Sequence, residues 1–217
     1  MRILLIYSIS FVVLCSSVFG QDSITHGKNI YKLDLFRAVQ GTIQLTHEHR
    51  ISSRYSINFG LMGTYASTRG LAKPYLSVQE FTYSDAIAHK IYVLDNVEAL
   101  GYGMNFQIRK YLTNSKKNQL KGFYVAPEIF YRRLNLTSLV ENDTKEIKRI
   151  LNLGYVGYAF GYQKIIRDII SFDTYIGGGF FLSQYTDEKH LTRYRNNYQI
   201  DFTGMYCNMG VLVGIVR

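Results

Sequence analysis

Apolar and polar residues alternate with a period of two along most of this chain. The clearest example is residues 99–109, in which one set of alternate positions holds Leu100, Tyr102, Met104, Phe106 and Ile108. The positions between them hold Ala, Gly, Asn, Gln and Arg. A helix would scatter the two sets around its axis, whereas successive side chains of a strand point to opposite faces. The pattern therefore predicts an all-β protein.

Eight segments alternate in this way, and we predict a strand for each: 30–36, 41–50, 54–66, 98–111, 121–134, 150–163, 169–183 and 199–216. Three connections are long, 67–97, 135–149 and 184–198, and the connections between these are short. Outer-membrane barrels have short turns at one end and long external loops at the other. The sequence thus predicts an all-β, eight-stranded antiparallel up-and-down transmembrane β-barrel over residues 30–217.

The period alone does not say which face points inward. The polar face is rich in Gly, Ala, Ser, Asn and Gln and poor in Lys and Glu, which suits the crowded interior of an eight-stranded barrel. The segments are also longer than the five or six residues that are usual for a strand. Both features favour an apolar outer face and a polar lumen. The alternative is a soluble, lipocalin-like periplasmic binding barrel whose apolar face points inward.

The N-terminal segment predicts export. Arg2 precedes an apolar run of about 12 residues, and the small residues Val18 and Gly20 precede the expected cleavage site. This order is typical of a cleaved signal peptide, and the run is shorter than the roughly 20 residues that a membrane-spanning helix needs. We predict a signal peptide over residues 1–20, a linker over 21–29 and a location in the bacterial outer membrane.

Four stretches of the chain resemble a known family. They are Lys32-Leu33-Asp34-Leu35, the Gly41…Leu45…Glu48…Arg50 stretch, Ser56-Ile57-Asn58-Phe59-Gly60-Leu61 and Lys121-Gly122-Phe123-Tyr124-Val125-Ala126-Pro127-Glu128. They are similar to the small outer-membrane β-barrel proteins of uncharacterised function found in Gram-negative bacteria. The resemblance covers most of the chain after the signal peptide. It implies a location and a fold, and no reaction.

Seven charged residues fall on the face that we predict to be inward. A buried charge is costly unless it is paired, so we expect these side chains to form a hydrogen-bonded ion network in the lumen. The alternative is a path for protons or ions, although eight strands leave no wide channel. The seven residues are Lys32, Asp34, Glu48, Arg109, Glu128, Arg132 and Asp173.

The positive charge of the chain is concentrated in the short turns. The formal net charge is +9, and loss of Arg2 with the signal peptide leaves +8. The three short turns hold eight basic residues against Asp168 alone, a net charge of +7. The eight basic residues are Arg50, Arg54, Lys110, Lys116, Lys117, Lys121, Lys164 and Arg167.

This placement decides how the charge is interpreted. A basic chain can indicate nucleic-acid binding, but export and the confinement of the charge to short turns argue against it. Our hypothesis is that the basic turns engage anionic headgroups of the inner leaflet, where each nearby Lys or Arg adds about 1 kcal/mol. The alternative is that these charges only keep the turns soluble.

Two further groups of residues resemble known sites. His47 and His49 share one face of a predicted strand at a spacing that can chelate a metal ion, but no third ligand accompanies them. A lipid-modifying barrel enzyme needs a nucleophile, a base and an acid near the external leaflet. The predicted external loops carry the residue types for this: Ser84, Asp85, His89 and His190.

We expect neither group to form a site, because closeness in a loop or on a strand edge is common without function. The sequence contains no glycine-rich phosphate loop, zinc motif or nucleotide fingerprint, so we expect no catalysis, no metal and no cofactor. The predicted protein is a monomer with a filled lumen and a structural or surface-interaction role. Its expected partners are outer-membrane lipids, the barrel-assembly machinery during biogenesis, and an external partner that the loops would contact, but not nucleic acid.

Overall fold

The computed structural model describes residues 29–76, 82–85, 90–112, 120–140, 146–187, 189–193 and 198–217. The predicted signal peptide, most of the linker, His89, Lys116 and Lys117 lie outside these ranges. The elements of the described chain are β1 (Asn29–Asp34), α1 (Leu35–Val39), β2 (Thr42–Arg50), β3 (Tyr55–Ser67), β4 (Thr82–Asp85), β5 (Lys90–Tyr111), β6 (Gly122–Val140), β7 (Glu146–Ile166), β8 (Ile170–Tyr185) and β9 (Gly204–Val216). No helix in these ranges is long and apolar enough to cross a membrane.

Eight of the strands form one closed ring in which every pairing is antiparallel. Each strand pairs with the next along the chain, β3 pairs with β5, and β1 pairs with β9 to close the ring. Strand β4 stands outside the ring and pairs with the start of β5, where β3 has already ended. The predicted eight-stranded antiparallel up-and-down barrel is confirmed as an architecture.

The two ends of the barrel differ. At the terminal end, Asn29 N donates to Arg217 O at 2.9 Å and Arg217 N donates to Asn29 O at 2.8 Å. The turns that join β2 to β3, β5 to β6 and β7 to β8 lie at this same end because the strands alternate in direction. The opposite end, called the loop end below, carries the segments between β3 and β5, β6 and β7, and β8 and β9.

Several predicted boundaries are wrong at the loop end. The strand predicted at 30–36 stops at Asp34, because the Asp34 carboxylate accepts hydrogen bonds from the backbone N–H groups of Phe36 at 2.9 Å and Arg37 at 3.0 Å and thereby caps α1. The long loop predicted at 135–149 is mostly strand, since β6 and β7 extend to within a few residues of each other. The last strand begins five residues later than predicted, at Gly204.

Candidate functional site

The outward face of β5 is apolar over nine residues. From Leu100 to Ile108 the outward side chains are all apolar and between 37% and 63% exposed. The run ends at Glu98 towards the loop end and at Lys110 towards the terminal end, both exposed. At 3.3 Å per residue and a tilt of about 40°, nine residues cover roughly 23 Å along the barrel axis. This height is close to that of the apolar band of outer-membrane barrels.

The neighbouring strands continue this band at the same level. The outward apolar positions run from Phe123 to Tyr131 on β6 and from Val156 to Tyr162 on β7. Arg133, the next outward residue of β6, pairs with Tyr102 of β5 on one side and with Asn152 of β7 on the other. The boundary of the apolar band towards the loop end therefore falls at the same pair on β6 and β7, whereas on β5 the band continues past this level to Leu100.

Beyond this boundary the polarity of the wall reverses. Most outward positions of β5, β6 and β7 are now polar, as at Glu98, Asn135 and Lys148, although Leu139 is outward and apolar. Inward positions are now apolar and buried: Val97, Leu134, Leu136, Ile147, Leu151 and Leu153. An apolar interior with a polar exterior is the arrangement of a water-soluble β protein. One continuous wall thus presents apolar side chains to its surroundings over one part of its height and polar side chains over another.

Two loop segments fill the apolar interior at the loop end. Leu76 and Ile200 are both 0% exposed and belong to the same apolar cluster as the inward strand residues. The backbone N–H of Ile200 donates to the carbonyl of Tyr75 at 3.2 Å, which joins the two segments. The Tyr75 hydroxyl in turn accepts a hydrogen bond from Arg132 of the barrel wall at 3.2 Å. The loop end of the lumen is therefore occupied by the chain itself.

Four of the predicted inward charges form one buried ion cluster nearer the terminal end. Lys32 Nζ lies 2.5 Å from Glu48 Oε2 and 2.7 Å from Asp173 Oδ2. Arg109 NH1 lies 3.3 Å from the same Glu48 oxygen and 2.6 Å from the same Asp173 oxygen. All four side chains are 0% exposed, and they come from β1, β2, β5 and β8. Two cations and two anions therefore tie four strands together with no net charge.

Neutral side chains satisfy the remaining carboxylate oxygens of this cluster. Glu48 Oε1 accepts hydrogen bonds from Ser56 Oγ at 2.5 Å and Tyr111 OH at 2.7 Å. Asp173 Oδ1 accepts from Tyr124 OH at 2.8 Å, and Gln163 Oε1 accepts from Lys32 Nζ. Each oxygen of the two carboxylates thus has a partner, as a stable buried ion pair requires.

The ring of Tyr124 reaches the cluster because a glycine stands opposite it. Tyr124 pairs with Gly161 across β6 and β7, and a Cβ atom at Gly161 would lie 2.2 Å from Cζ of the Tyr124 ring. The guanidinium of Arg109 packs over the same ring, 4.4 Å from its centroid. A side chain at Gly161 would therefore displace the ring from both the cation and Asp173.

The other three predicted network residues are inward and buried but lie outside the ion cluster. Asp34 caps α1, as described above. Glu128 Oε2 accepts a hydrogen bond from Asn208 Nδ2 at 2.9 Å. Arg132 donates to Tyr75 and lies 3.7 Å from the Met62 sulfur, with no carboxylate at salt-bridge distance in the described part of the chain. All seven predicted residues lie on the inward face, but the sequence did not show which of them would form ion pairs.

Arg37 enters the lumen from α1 and was not among the predicted inward charges. It is 4% exposed and donates from NH2 to Asn208 Oδ1 at 3.1 Å. Strand periodicity would direct Arg37 outward, and only the helical turn after Asp34 redirects it. Tyr111, Tyr124 and Gln163 were also missed, although their positions have the same parity as the charged residues and could have been found in this way.

The basic turns and the remaining candidate residues are placed as follows. Arg54, Lys110, Lys164 and Arg167 are exposed at the terminal end, and Arg50 and Lys121 are partly exposed there. His47 and His49 are on the outward face, and both rings hydrogen-bond to Asn29 Oδ1, at 3.1 Å and 2.8 Å. Ser84 and Asp85 belong to β4, and His190 is exposed in the segment between β8 and β9.

The described residues contain no group of three or more His, Cys, Asp or Glu side chains placed to hold a metal ion. Comparisons of the chain with protein-family models, with curated proteins and with solved structures find no match.

Proposed function

We propose that this chain is a monomeric outer-membrane β-barrel of a Gram-negative bacterium, exported through a cleaved signal peptide. The proposed role is structural or one of surface interaction through the external loops, without catalysis and without a cofactor. The terminal end would face the periplasm and the loop end would stand in water outside the cell.

The observation that carries this proposal is the apolar band with its sharp upper limit. Soluble proteins rarely expose contiguous apolar patches larger than a few hundred Å², whereas β5, β6 and β7 alone expose a band about nine residues high. The reversal of polarity above the band also fits a boundary between lipid and water. A soluble lipocalin-like barrel would carry its apolar face inward along its whole height.

The state of the lumen supports a role without catalysis or wide conduction. The carboxylate oxygens of Glu48 and Asp173 are already engaged by cations and hydroxyl groups. A general base needs a free lone pair within reach of its substrate. The loop segments around Leu76 and Ile200 also occupy the mouth of the barrel.

Fractionation and electrophoretic mobility test the proposal together. We expect the protein in the outer-membrane fraction, with an unboiled sample that migrates faster than a boiled one because the closed barrel resists detergent. Mass measurement should show the loss of residues 1–20. A soluble periplasmic protein whose mobility does not depend on boiling would contradict the proposal.

The basic turns should make stability depend on lipid charge. The variant Lys116→Glu, Lys117→Glu, Lys121→Glu is expected to be destabilised in phosphatidylglycerol-containing bilayers relative to phosphatidylcholine bilayers by about 3 kcal/mol, since each basic residue near an anionic surface contributes about 1 kcal/mol. The free energy of unfolding in urea, measured in both lipids, gives the difference.

A matched triple variant at the loop end controls for the loss of charge itself. Lys148, Lys189 and Arg193 are exposed there, and their replacement by Glu should change stability equally in both lipids when the anionic leaflet is at the terminal end. If the turn variant is also insensitive to lipid charge, the basic turns serve solubility and the headgroup hypothesis is wrong.

A further inference from the structure

Between β9 and β2, the barrel wall is a strand near the terminal end and a short helix nearer the loop end. The ladder between β1 and β9 ends at Asp34↔Leu212, and the ladder between β1 and β2 ends at Leu33↔Leu45. Strand β9 nevertheless continues to Gly204 at the loop end. The short helix α1 stands beside this part of β9, in the place where β1 would have continued. We call the contact between α1 and residues 204–211 the seam.

The seam lies at the level of the apolar band. Met205 and Met209 of β9 pair with Phe180 and Ile176 of β8, which are outward and exposed. The outward side chains of α1 are apolar as well: Leu35, Phe36 and Val39. The outer side of the seam therefore faces the same surroundings as the band, which are lipid if the proposed function is correct.

A small cavity lies within the seam. Its volume is about 40 Å³, and its lining includes four consecutive residues of β9, Tyr206, Cys207, Asn208 and Met209. Cys207 and Met209 belong to the outward face of this strand, and Tyr206 and Asn208 belong to the inward face. The lining therefore combines residues of both strand parities with Phe36 and Arg37 of α1, which places the cavity at the contact between α1 and β9.

A buried guanidinium with no carboxylate at salt-bridge distance stands at the inner side of this cavity. Arg37 lines the cavity, is 4% exposed, and has no hydrogen-bond partner for Nε. No carboxylate lies at salt-bridge distance from it among the described residues. Asp34 and Glu128 attract this guanidinium from beyond salt-bridge distance. One oxygen of Asp34 caps α1, one oxygen of Glu128 accepts from Asn208, and the other oxygen of each has no hydrogen-bond partner. A buried guanidinium of this kind gains most from an anion that can accept two hydrogen bonds.

We propose that the seam is a binding site for a single-chain amphiphile with an anionic head. The head pairs with Arg37 at the inner side, and the chain runs outward past Phe36, Cys207 and Met209. The inference rests on the proposed function, because the chain must leave the seam into lipid. The recognising chemistry is a guanidinium for the head and apolar side chains for the tail.

Protection of Cys207 from a thiol reagent reports occupation of the seam. Cys207 is exposed and lines the cavity, and in the full chain with Cys15→Ser it is the one thiol. The protein is folded in phosphatidylcholine bilayers and treated with a lipid-permeable maleimide, with added laurate or dodecanol. Laurate should slow the modification of Cys207, and dodecanol at the same membrane concentration should not, because its head is neutral.

The variant Arg37→Gln tests the contribution of the anionic head to binding, independently of the tail. The laurate concentration for half-protection should rise by about tenfold, as expected for loss of a hydrogen-bonded charged partner. Arg54→Gln, at an exposed turn position of the terminal end, should leave it unchanged. Equal protection by laurate and dodecanol, or protection by neither, would overturn the proposal even if Arg37→Gln did not fold. A wild-type protein that fails to insert into lipid would instead overturn the proposed function, and the electrophoretic shift detects this before the titration begins.

Discussion

Replacement of Arg109 by Met is expected to lower the free energy of unfolding by about 3–5 kcal/mol, the usual cost of removing one partner from a buried ion pair. Arg109 bonds to both Glu48 and Asp173. Without it, two fully buried carboxylates would share the single positive charge of Lys32, at a depth where water cannot solvate them. Urea unfolding of the protein in lipid bilayers, followed by the electrophoretic shift, measures the change.

Two further variants show whether the loss comes from the broken pair. Arg54→Met removes an exposed guanidinium at the terminal end and should change stability by less than about 1 kcal/mol. Arg109→Met combined with Asp173→Leu leaves Lys32 and Glu48 as one neutral pair and should recover much of the lost stability, since apolar replacement of a buried pair is often neutral. A single variant as stable as the wild type would mean that the cluster does not hold the strands together.

The ion cluster also shows how far the sequence could be interpreted. Alternation with a period of two assigned Lys32, Glu48, Arg109 and Asp173 to one face, because strand parity is a local property. Which cation meets which anion depends on the register between strands and on barrel closure. These are non-local, so the pairing of β1 with β9 that brings Lys32 to Asp173 had no local signal.

Strands β5, β6 and β7 were predicted too short at the loop end because the apolar residues move there from the outward face to the inward face. The run of apolar outward residues on which the strand predictions depend ends at Leu100 on β5 and at Tyr131 on β6. Beyond these points most outward residues are polar, as at Asn135, while inward residues such as Leu134 are apolar. The alternation also breaks at the buried Ser138 and the exposed Leu139, so residues 135–140 looked like a polar loop. The change of polarity along one strand explains both the correct lower half and the missed upper half.

The apolar band leads to a second prediction with a large expected effect on stability. Met104 is outward, half exposed and at the middle of the nine-residue run of β5. Met104→Arg should destabilise the protein in phosphatidylcholine bilayers by about 2–4 kcal/mol, the cost measured for a cation at the midplane of a bilayer on the lipid face of a barrel. Urea unfolding in bilayers gives this difference.

Glu98→Arg is the matched control, because Glu98 lies on the same face of the same strand above the boundary of the band. At or beyond the interface the cost of Arg falls to about 0–1 kcal/mol, so the two variants should differ by several-fold in their effect. A soluble barrel would tolerate Arg equally at both positions, since each side chain would then stand in water. Equal stability of Met104→Arg and Glu98→Arg would therefore mean that the apolar band does not face lipid, and the membrane assignment would fail although the barrel fold remained.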